Sequence, residues 1–168
     1  VLMTGGGTAG HITPILSVAT ELKKLHPNAQ IRYIGQAGDK LAAIAVDHET
    51  ISGSWLILAG KWRRYHGVGV WAHARDWRTI IKNVRDMFLM AIGFVQSVWL
   101  LLRWRPDVVF AKGGFVCVPV GLAAALLRVP IVTHDSDALP GLTNRILSRF
   151  ARKQCVGLPV EYYKQYDA

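Results

Sequence analysis

The apolar start Val1-Leu2-Met3 runs straight into Thr4-Gly5-Gly6-Gly7-Thr8-Ala9-Gly10-His11, and an apolar pattern of helical spacing follows at once. Strand, glycine loop and helix in that order are the opening of a parallel α/β sheet. Glycines at such a junction let the backbone turn and expose N–H groups, and the helix behind them aims its positive end at whatever anion sits there. The loop suits a diphosphate, or a sugar hydroxyl beside one. Pro14 is placed as the first helical residue behind Thr13 as cap, and Ile15, Val18, Ala19, Leu22 and Leu25 carry the helix to about His26. A second strand at Ile31-Arg32-Tyr33-Ile34 ends at Gly35. A short helix near Leu41 to Val46 and a short strand near Thr50-Ile51 come next. This β-α-β-α-β grammar predicts a Rossmann-like, doubly wound parallel sheet.

Residues 53 to 69 read as a long surface loop, and a helix is expected from about Ala74 to Trp104. Trp77, Ile80, Ile81, Val84, Phe88, Ala91, Val95, Val98 and Leu102 form one stripe of it, opposite Arg75, Arg78, Lys82, Arg85, Gln96 and Arg103. Met87 to Leu102 carries no charge for 16 residues, which is short of the ~20 that cross a bilayer, so the helix is expected to be buried. Val108-Val109-Phe110-Ala111 is the next strand, followed by a Lys112-Gly113-Gly114-Phe115 loop, a helix from Pro119 to Leu127 and a strand at Pro130 to Thr133. A polar turn, His134-Asp135-Ser136-Asp137, leads to a helix near Gly141 to Ala151 and a strand around Gln154-Cys155-Val156. One domain spanning 1–168 is expected from the length and the 51% hydrophobic content. Because Val1 opens in what reads as the later half of a strand, the chain is expected to be a fragment. Cys117 and Cys155 have no metal-like spacing and read as buried, reduced thiols.

Gly5-x-Gly7-x-x-Gly10 satisfies the dinucleotide fingerprint, but that fingerprint also wants an acidic residue at the end of the second strand. Gly35-Gln36 stands there instead, and Asp39 comes four residues after Gly35, so a dinucleotide-binding domain is the lower alternative. His11 follows the third glycine, where a neutral imidazole could accept a proton from a sugar hydroxyl. The Gly113-Gly114 pair closes another strand and, in a parallel sheet, shares the carboxyl edge with the first loop. His134, Asp135 and Asp137 leave the next strand on that edge; Asp135-x-Asp137 could alternatively be a metal pair. Lys and Arg outnumber Asp and Glu by 20 to 11, a net charge of +9, which calls for an anionic partner. Lys61, Arg63, Arg64, Arg75, Arg78, Lys82 and Arg85 are interleaved with Trp62, Tyr65, Trp71 and Trp77, a mixture suited to an anionic membrane surface. Without a recognisable RNA or DNA motif, nucleic acid ranks lower.

Taken together, these residues resemble the MurG family of UDP-N-acetylglucosamine transferases, in its N-terminal, acceptor-binding half. Gly6-Gly7-Thr8-Ala9-Gly10-His11 and Pro14 match its first loop with one Gly-to-Ala change. Ile51-Ser52-Gly53, Pro106-Asp107-Val108-Val109, Gly113-Gly114-Phe115-Val116, Gly121-Leu122-Ala123-Ala124, Pro130-Ile131-Val132, His134 and Gly141-Leu142-Thr143-Asn144 follow in family order. The resemblance implies the first half of a GT-B enzyme, peripheral on the cytoplasmic face of the cell membrane. It is metal-independent, needs no cofactor, and inverts the anomeric carbon of UDP-GlcNAc as it converts lipid I to lipid II in peptidoglycan synthesis. Further implied roles are His11 and then Asp135 as the base, and Thr8, Ala9, Gly10 and Asp137 toward the sugar donor. Gly10, His11, Gly113, Gly114, Phe115, His134 and Asn144 would face the polyprenyl-diphosphate acceptor. A C-terminal donor domain would be supplied in cis, or a donor subunit in trans. In the second case this chain would be a non-catalytic membrane-recruiting subunit, the alternative from another functional class. Three residues depart from the family pattern: Asp135 stands for a glutamate, Asp137 for an asparagine and Phe115 for a common tyrosine.

Overall fold

The computed structural model describes residues 1–61, 77–137, 140–161 and 163, without the side chain of residue 78. Its chain order is β1 (Leu2–Thr4), α1 (Ala9–Leu25), β2 (Arg32–Gln36), α2 (Ala42–Val46), β3 (Gly53–Ile57), α3 (Trp77–Trp104), β4 (Val109–Ala111), α4 (Cys117–Leu126), β5 (Ile131–Asp135), α5 (Leu142–Leu147) and β6 (Lys153–Val156). The six strands form one parallel sheet in the order β3-β2-β1-β4-β5-β6. The chain winds outward from β1 to β3, returns through α3, and winds the other way from β4 to β6. With right-handed crossovers, this reversal puts α1 and α2 on one face and α3, α4 and α5 on the other. Alternate strand residues serve the two faces. Met3, Tyr33 and Phe110 pack with Ile12, Ile15, Ala19 and Ala42 on the first. Leu2, Ile34, Val109 and Ile131 pack with Leu100, Leu101, Val120, Ala123 and Leu147 on the second. The doubly wound parallel sheet expected from the glycine loop is the observed fold.

Several boundaries differ from the sequence reading. The first helix starts at Ala9 with Thr8 in its extended cap position, and Pro14 lies inside it, where its missing N–H forgoes one helical bond. The third strand is Gly53–Ile57, inside the stretch expected to be loop. Ser52-Gly53-Ser54 has turn composition, but residue-by-residue pairing of Arg32 to Gln36 with Gly53 to Ile57 overrides local preference at a sheet edge. His134 and Asp135 belong to β5, paired with Cys155 and Val156, and the turn begins after them. Cys117 is buried as expected, whereas Cys155 on the edge strand is exposed.

The larger correction concerns α3. Its apolar stripe, expected to be buried, points away from the protein: Phe88 is 64% and Val95 66% exposed, and Trp77, Ile81, Ile92, Trp99 and Leu102 are exposed with them. The inward face is made instead by Thr79, Asp86, Gly93, Ser97, Leu100 and Leu101. Gln96 Oε1 accepts from the Leu58 N–H at 2.9 Å, and Asp86 Oδ2 from the Lys61 N–H at 3.2 Å, so polar side chains anchor the helix to the strap at 58–61. Gly93 is needed for that approach, because a Cβ there would overlap the Leu58 carbonyl oxygen. Thr79–Trp104, at 26 residues, is by length and composition long and apolar enough to cross a membrane. Here a mixed face, with Asp86, Gln96 and Ser97 beside Leu100 and Leu101, packs on the domain, and the stripe through Ile81, Phe88 and Val95 is left exposed.

Candidate acceptor cleft

Three loops leave the carboxyl edge of the sheet around β1 and β4, the point where the strand order reverses and where open α/β sheets bind their ligands. The loop after β1 and the loop after β4 are in direct contact. The Gly6 N–H donates to the Gly113 carbonyl at 3.3 Å. Gly114, with φ of 89°, lies so close that a Cβ on it would overlap the Gly6 carbonyl oxygen, so both the backbone angle and the space require glycine.

Each of these glycine carbonyls has a donor inside the protein. The Tyr33 hydroxyl donates to Gly5 O at 2.6 Å, His11 Nδ1 to Gly6 O at 2.7 Å, the Cys117 thiol to Gly113 O at 3.0 Å, and the Thr143 hydroxyl to Gly114 O at 3.2 Å. Burial pushes the Tyr33 phenol well above its usual range and the Cys117 thiol up to about 11, so both stay protonated and keep donating. With the carbonyls turned inward, the N–H groups of Gly113, Gly114 and Phe115 find no acceptor among the described residues. At the start of α1, helix geometry likewise leaves the first N–H groups without intrahelical partners. An edge where these N–H groups face out and the carbonyls of Gly5, Gly6, Gly113 and Gly114 are already engaged is complementary to an anion.

Lys112 adds charge to this edge. It is 3% exposed, immediately before the glycine pair, and forms no ion pair among the described residues. A lysine buried without a counter-charge is costly unless an anion completes it. Its charge and, more strongly, burial lower the His134 pKa, while Asp135 pulls it back up in part. His134 Nδ1 is buried and has no hydrogen-bond partner among the described residues.

For the neutral ring, the tautomer of His11 follows from geometry. A carbonyl oxygen can only accept, so the 2.7 Å contact with Gly6 O places the ring proton on Nδ1, with the Thr8 hydroxyl 3.1 Å away on the same side. Nε2 then carries the lone pair. It lies over the second loop, where a Cβ built on Gly113 would come within 3.1 Å of it. One ring thus spans both loops, braced at one nitrogen and basic at the other.

Asp135 is buried and fully employed. Its Oδ1 accepts from the Asp137 N–H at 3.0 Å, and its Oδ2 from the Gly141 N–H at 3.1 Å and from Asn144 Nδ2 at 2.7 Å. The Asp135-x-Asp137 spacing is therefore a turn closed by its own backbone. Asn144 Nδ2 also donates to His134 O at 3.2 Å, and its Oδ1 is buried with no partner among the described residues. Asp137 is exposed, and its carbonyl accepts from Tyr163 at 2.8 Å. Thr8, Ala9 and Gly10 stand exposed at the rim, and Phe115 is half-buried beside the second loop.

The sequence reading missed three residues. Asp39, weighed only as a ribose ligand, accepts from the Gly7 N–H at 2.8 Å and the Leu41 N–H at 3.0 Å, so it ties down the first loop. Tyr33 and Lys112 carried no motif signal beyond their places before Gly35 and Gly113. Of the basic and aromatic residues expected at a membrane, Lys61, Trp77, Lys82 and Arg85 are exposed. Trp62, Arg63, Arg64, Trp71 and Arg75, and the side chain of Arg78, lie outside the described residues.

Comparison with known proteins agrees with this architecture. The chain is 39% identical, over 159 residues, to the UDP-N-acetylglucosamine--N-acetylmuramyl-(pentapeptide) pyrophosphoryl-undecaprenol N-acetylglucosamine transferase of Clostridium botulinum strain Loch Maree, a match covering 95% of this chain and 40% of that protein. The crystal structure of Acinetobacter baumannii MurG superposes with a TM-score of 0.73 at 26% identity, over 94% of this chain and 41% of that one. The UDP-GlcNAc 2-epimerase of Neisseria meningitidis, solved with UDP-GlcNAc bound, shares the fold at a TM-score of 0.63 and 14% identity, covering 98% of this chain and 41% of that one. The chain thus spans about 40% of the length of the curated relatives it matches. Residues 1–156 match the family described as the glycosyltransferase family 28 N-terminal domain, and this chain belongs to that family.

Proposed function

We propose that residues 1–168 are the acceptor-binding domain of an inverting GT-B glycosyltransferase. The enzyme would move N-acetylglucosamine from UDP-GlcNAc to the muramyl C4 hydroxyl of a polyprenyl-diphosphate acceptor, lipid I, giving lipid II for peptidoglycan. The observation that carries this reading is the pairing of an N–H-lined double loop, whose Gly5, Gly6, Gly113 and Gly114 carbonyls are held by internal donors, with the His11 Nε2 of the neutral ring placed over it. The N–H groups of Gly113, Gly114 and Phe115, the start of α1 at Gly10 and the charge of Lys112 hold the acceptor diphosphate. His11 takes the proton from the C4 hydroxyl as its oxygen bonds to the anomeric carbon. The bond from that carbon to the UDP oxygen breaks on the opposite side, and UDP leaves with the electron pair.

The other site residues orient the partners. Asn144 Oδ1 accepts from an acceptor hydroxyl, and His134 walls the cleft. Asp135, with both oxygens already accepting N–H bonds, fixes Asn144 and the turn through Asp137, which leaves His11 as the base. Thr8, Ala9, Gly10 and Asp137, at the rim, meet the sugar nucleotide held by a donor domain in cis or a donor subunit in trans. The bare apolar face of α3, flanked by Lys82 and Arg85, supports peripheral binding to the cytoplasmic face of an anionic membrane. The experiment joins this chain to a donor half and measures GlcNAc transfer from UDP-GlcNAc to lipid I. Transfer is expected, and its loss in His11→Ala identifies the base; ordinary turnover by His11→Ala would reject that role.

A further inference from the structure

Beside the second loop, on the face of the sheet that carries α3, lies a cavity of about 310 Å³, near the lower end of small-molecule sites at roughly 300–1,000 Å³. Met90 of α3, Phe115 and Val118 at the start of α4, and Leu142 and Ile146 of α5 supply its apolar walls. Among the described residues of its lining, only Asp86 and Thr143 have polar side-chain atoms. Asp86 Oδ1 is held by Arg85 Nε and Nη2 at 3.0 and 2.8 Å and its Oδ2 by the Lys61 N–H, while the Thr143 hydroxyl donates to Gly114 O. Among the described lining residues an occupant therefore finds no unmet side-chain hydrogen-bond partner, which suits a hydrocarbon and disfavours a sugar or a nucleotide.

The position of the cavity identifies which hydrocarbon. One wall, Phe115 and Thr143, touches the Gly113-Gly114 loop where the diphosphate is proposed to sit. The opposite wall, Met90, is three residues along α3 from the exposed Met87, so the apolar lining continues onto the bare outer stripe. We infer that this cavity receives the first isoprene units of the acceptor's polyprenyl chain, the segment attached to the diphosphate. It would lead the lipid from the glycine loops to the membrane-facing side of α3. The inference rests on the diphosphate reading of the loops, and it makes the cavity a site of discrimination by lipid rather than by sugar.

The test compares binding of farnesyl diphosphate and of methyl diphosphate to this chain by titration calorimetry, with farnesyl diphosphate kept below its aggregation limit. At least about tenfold tighter binding of the farnesyl compound is expected, the effect of burying only a few methylene groups. Val118→Phe and Met90→Trp, which fill the cavity from opposite walls, are expected to bring the ratio close to one and leave methyl diphosphate affinity unchanged. A ratio of one in the unmodified chain overturns the inference, as does a ratio that survives both substitutions in variants of unaltered melting temperature. Failure of both ligands to bind overturns the diphosphate reading and the inference with it; equal binding overturns the inference alone. A photoreactive prenyl diphosphate gives a measurement independent of the variants. Labelling of Val118, Leu142 or Ile146 supports the cavity, and labelling confined to Phe88 and Val95 rejects it.

Discussion

His11 is held through Nδ1 by the Gly6 carbonyl at 2.7 Å, with the Thr8 hydroxyl 3.1 Å away, and these contacts select the tautomer of the neutral ring and aim it. Removing the imidazole should lower transfer by about 10²- to 10⁴-fold, the usual contribution of a positioned base, with little change in acceptor affinity; steady-state kinetics of His11→Ala in the joined enzyme check this. Asp135 is a positioning residue, and its cost should appear in stability. Asp135→Asn keeps the shape but offers one acceptor oxygen to three N–H donors, so a loss of about 1–3 kcal/mol is expected from denaturant unfolding. His134 sets a pH dependence. Burial first, and Lys112 second, hold its folded pKa below the usual histidine value of 6.5. The unfolded chain therefore binds more protons as pH falls, so this contribution is complete above about 6.5 and is lost as pH drops through the lowered folded value. Melting temperatures measured from pH 7.5 down to 5 should decline, and His134→Gln should flatten that decline. His11 was legible as a candidate because it follows a glycine loop. Asp39, Tyr33 and Lys112 were not, because their roles come from what the third dimension brings against them.

At the level of elements, α3 is the instructive case. Periodicity correctly grouped Ile81, Val84, Phe88 and Val95 on one side of the helix, but a period says which residues share a face and not which way that face points. Direction was decided by the strap at 58–61, whose N–H groups need Gln96 and Asp86 and whose close approach needs Gly93. The strand at Gly53–Ile57 was missed for a related reason, since edge pairing with β2 tolerates glycine and serine that read locally as a turn. The outward stripe carries its own prediction. Ile81→Ser, Phe88→Ser and Val95→Ser combined should leave the melting temperature unchanged, because these side chains already face away from the core, yet weaken binding to anionic liposomes about tenfold or more in a sedimentation assay. Raising the salt should weaken the unmodified chain's binding as well, through Lys82 and Arg85.

For the whole molecule, the sheet order is what brings the two glycine loops together. β1 and β4 are neighbours although α1, α2 and α3 separate them along the chain, and only that adjacency lets Gly6 and Gly114 touch. Two glycine loops ending parallel strands were readable from the residues alone, and so was their sharing of one edge. Their direct contact, the inward turn of their carbonyls and the His11 bridge were not, because each depends on register between strands more than a hundred residues apart in the chain. On the reading proposed above, this edge is an anion cradle made of backbone N–H groups. Amide NMR shifts during titration with inorganic diphosphate test it most directly. Coincident, saturable movement of the Gly113, Gly114 and Phe115 amides together with Gly10 and His11 is the expected result. Saturable binding that leaves those amides unmoved would contradict it.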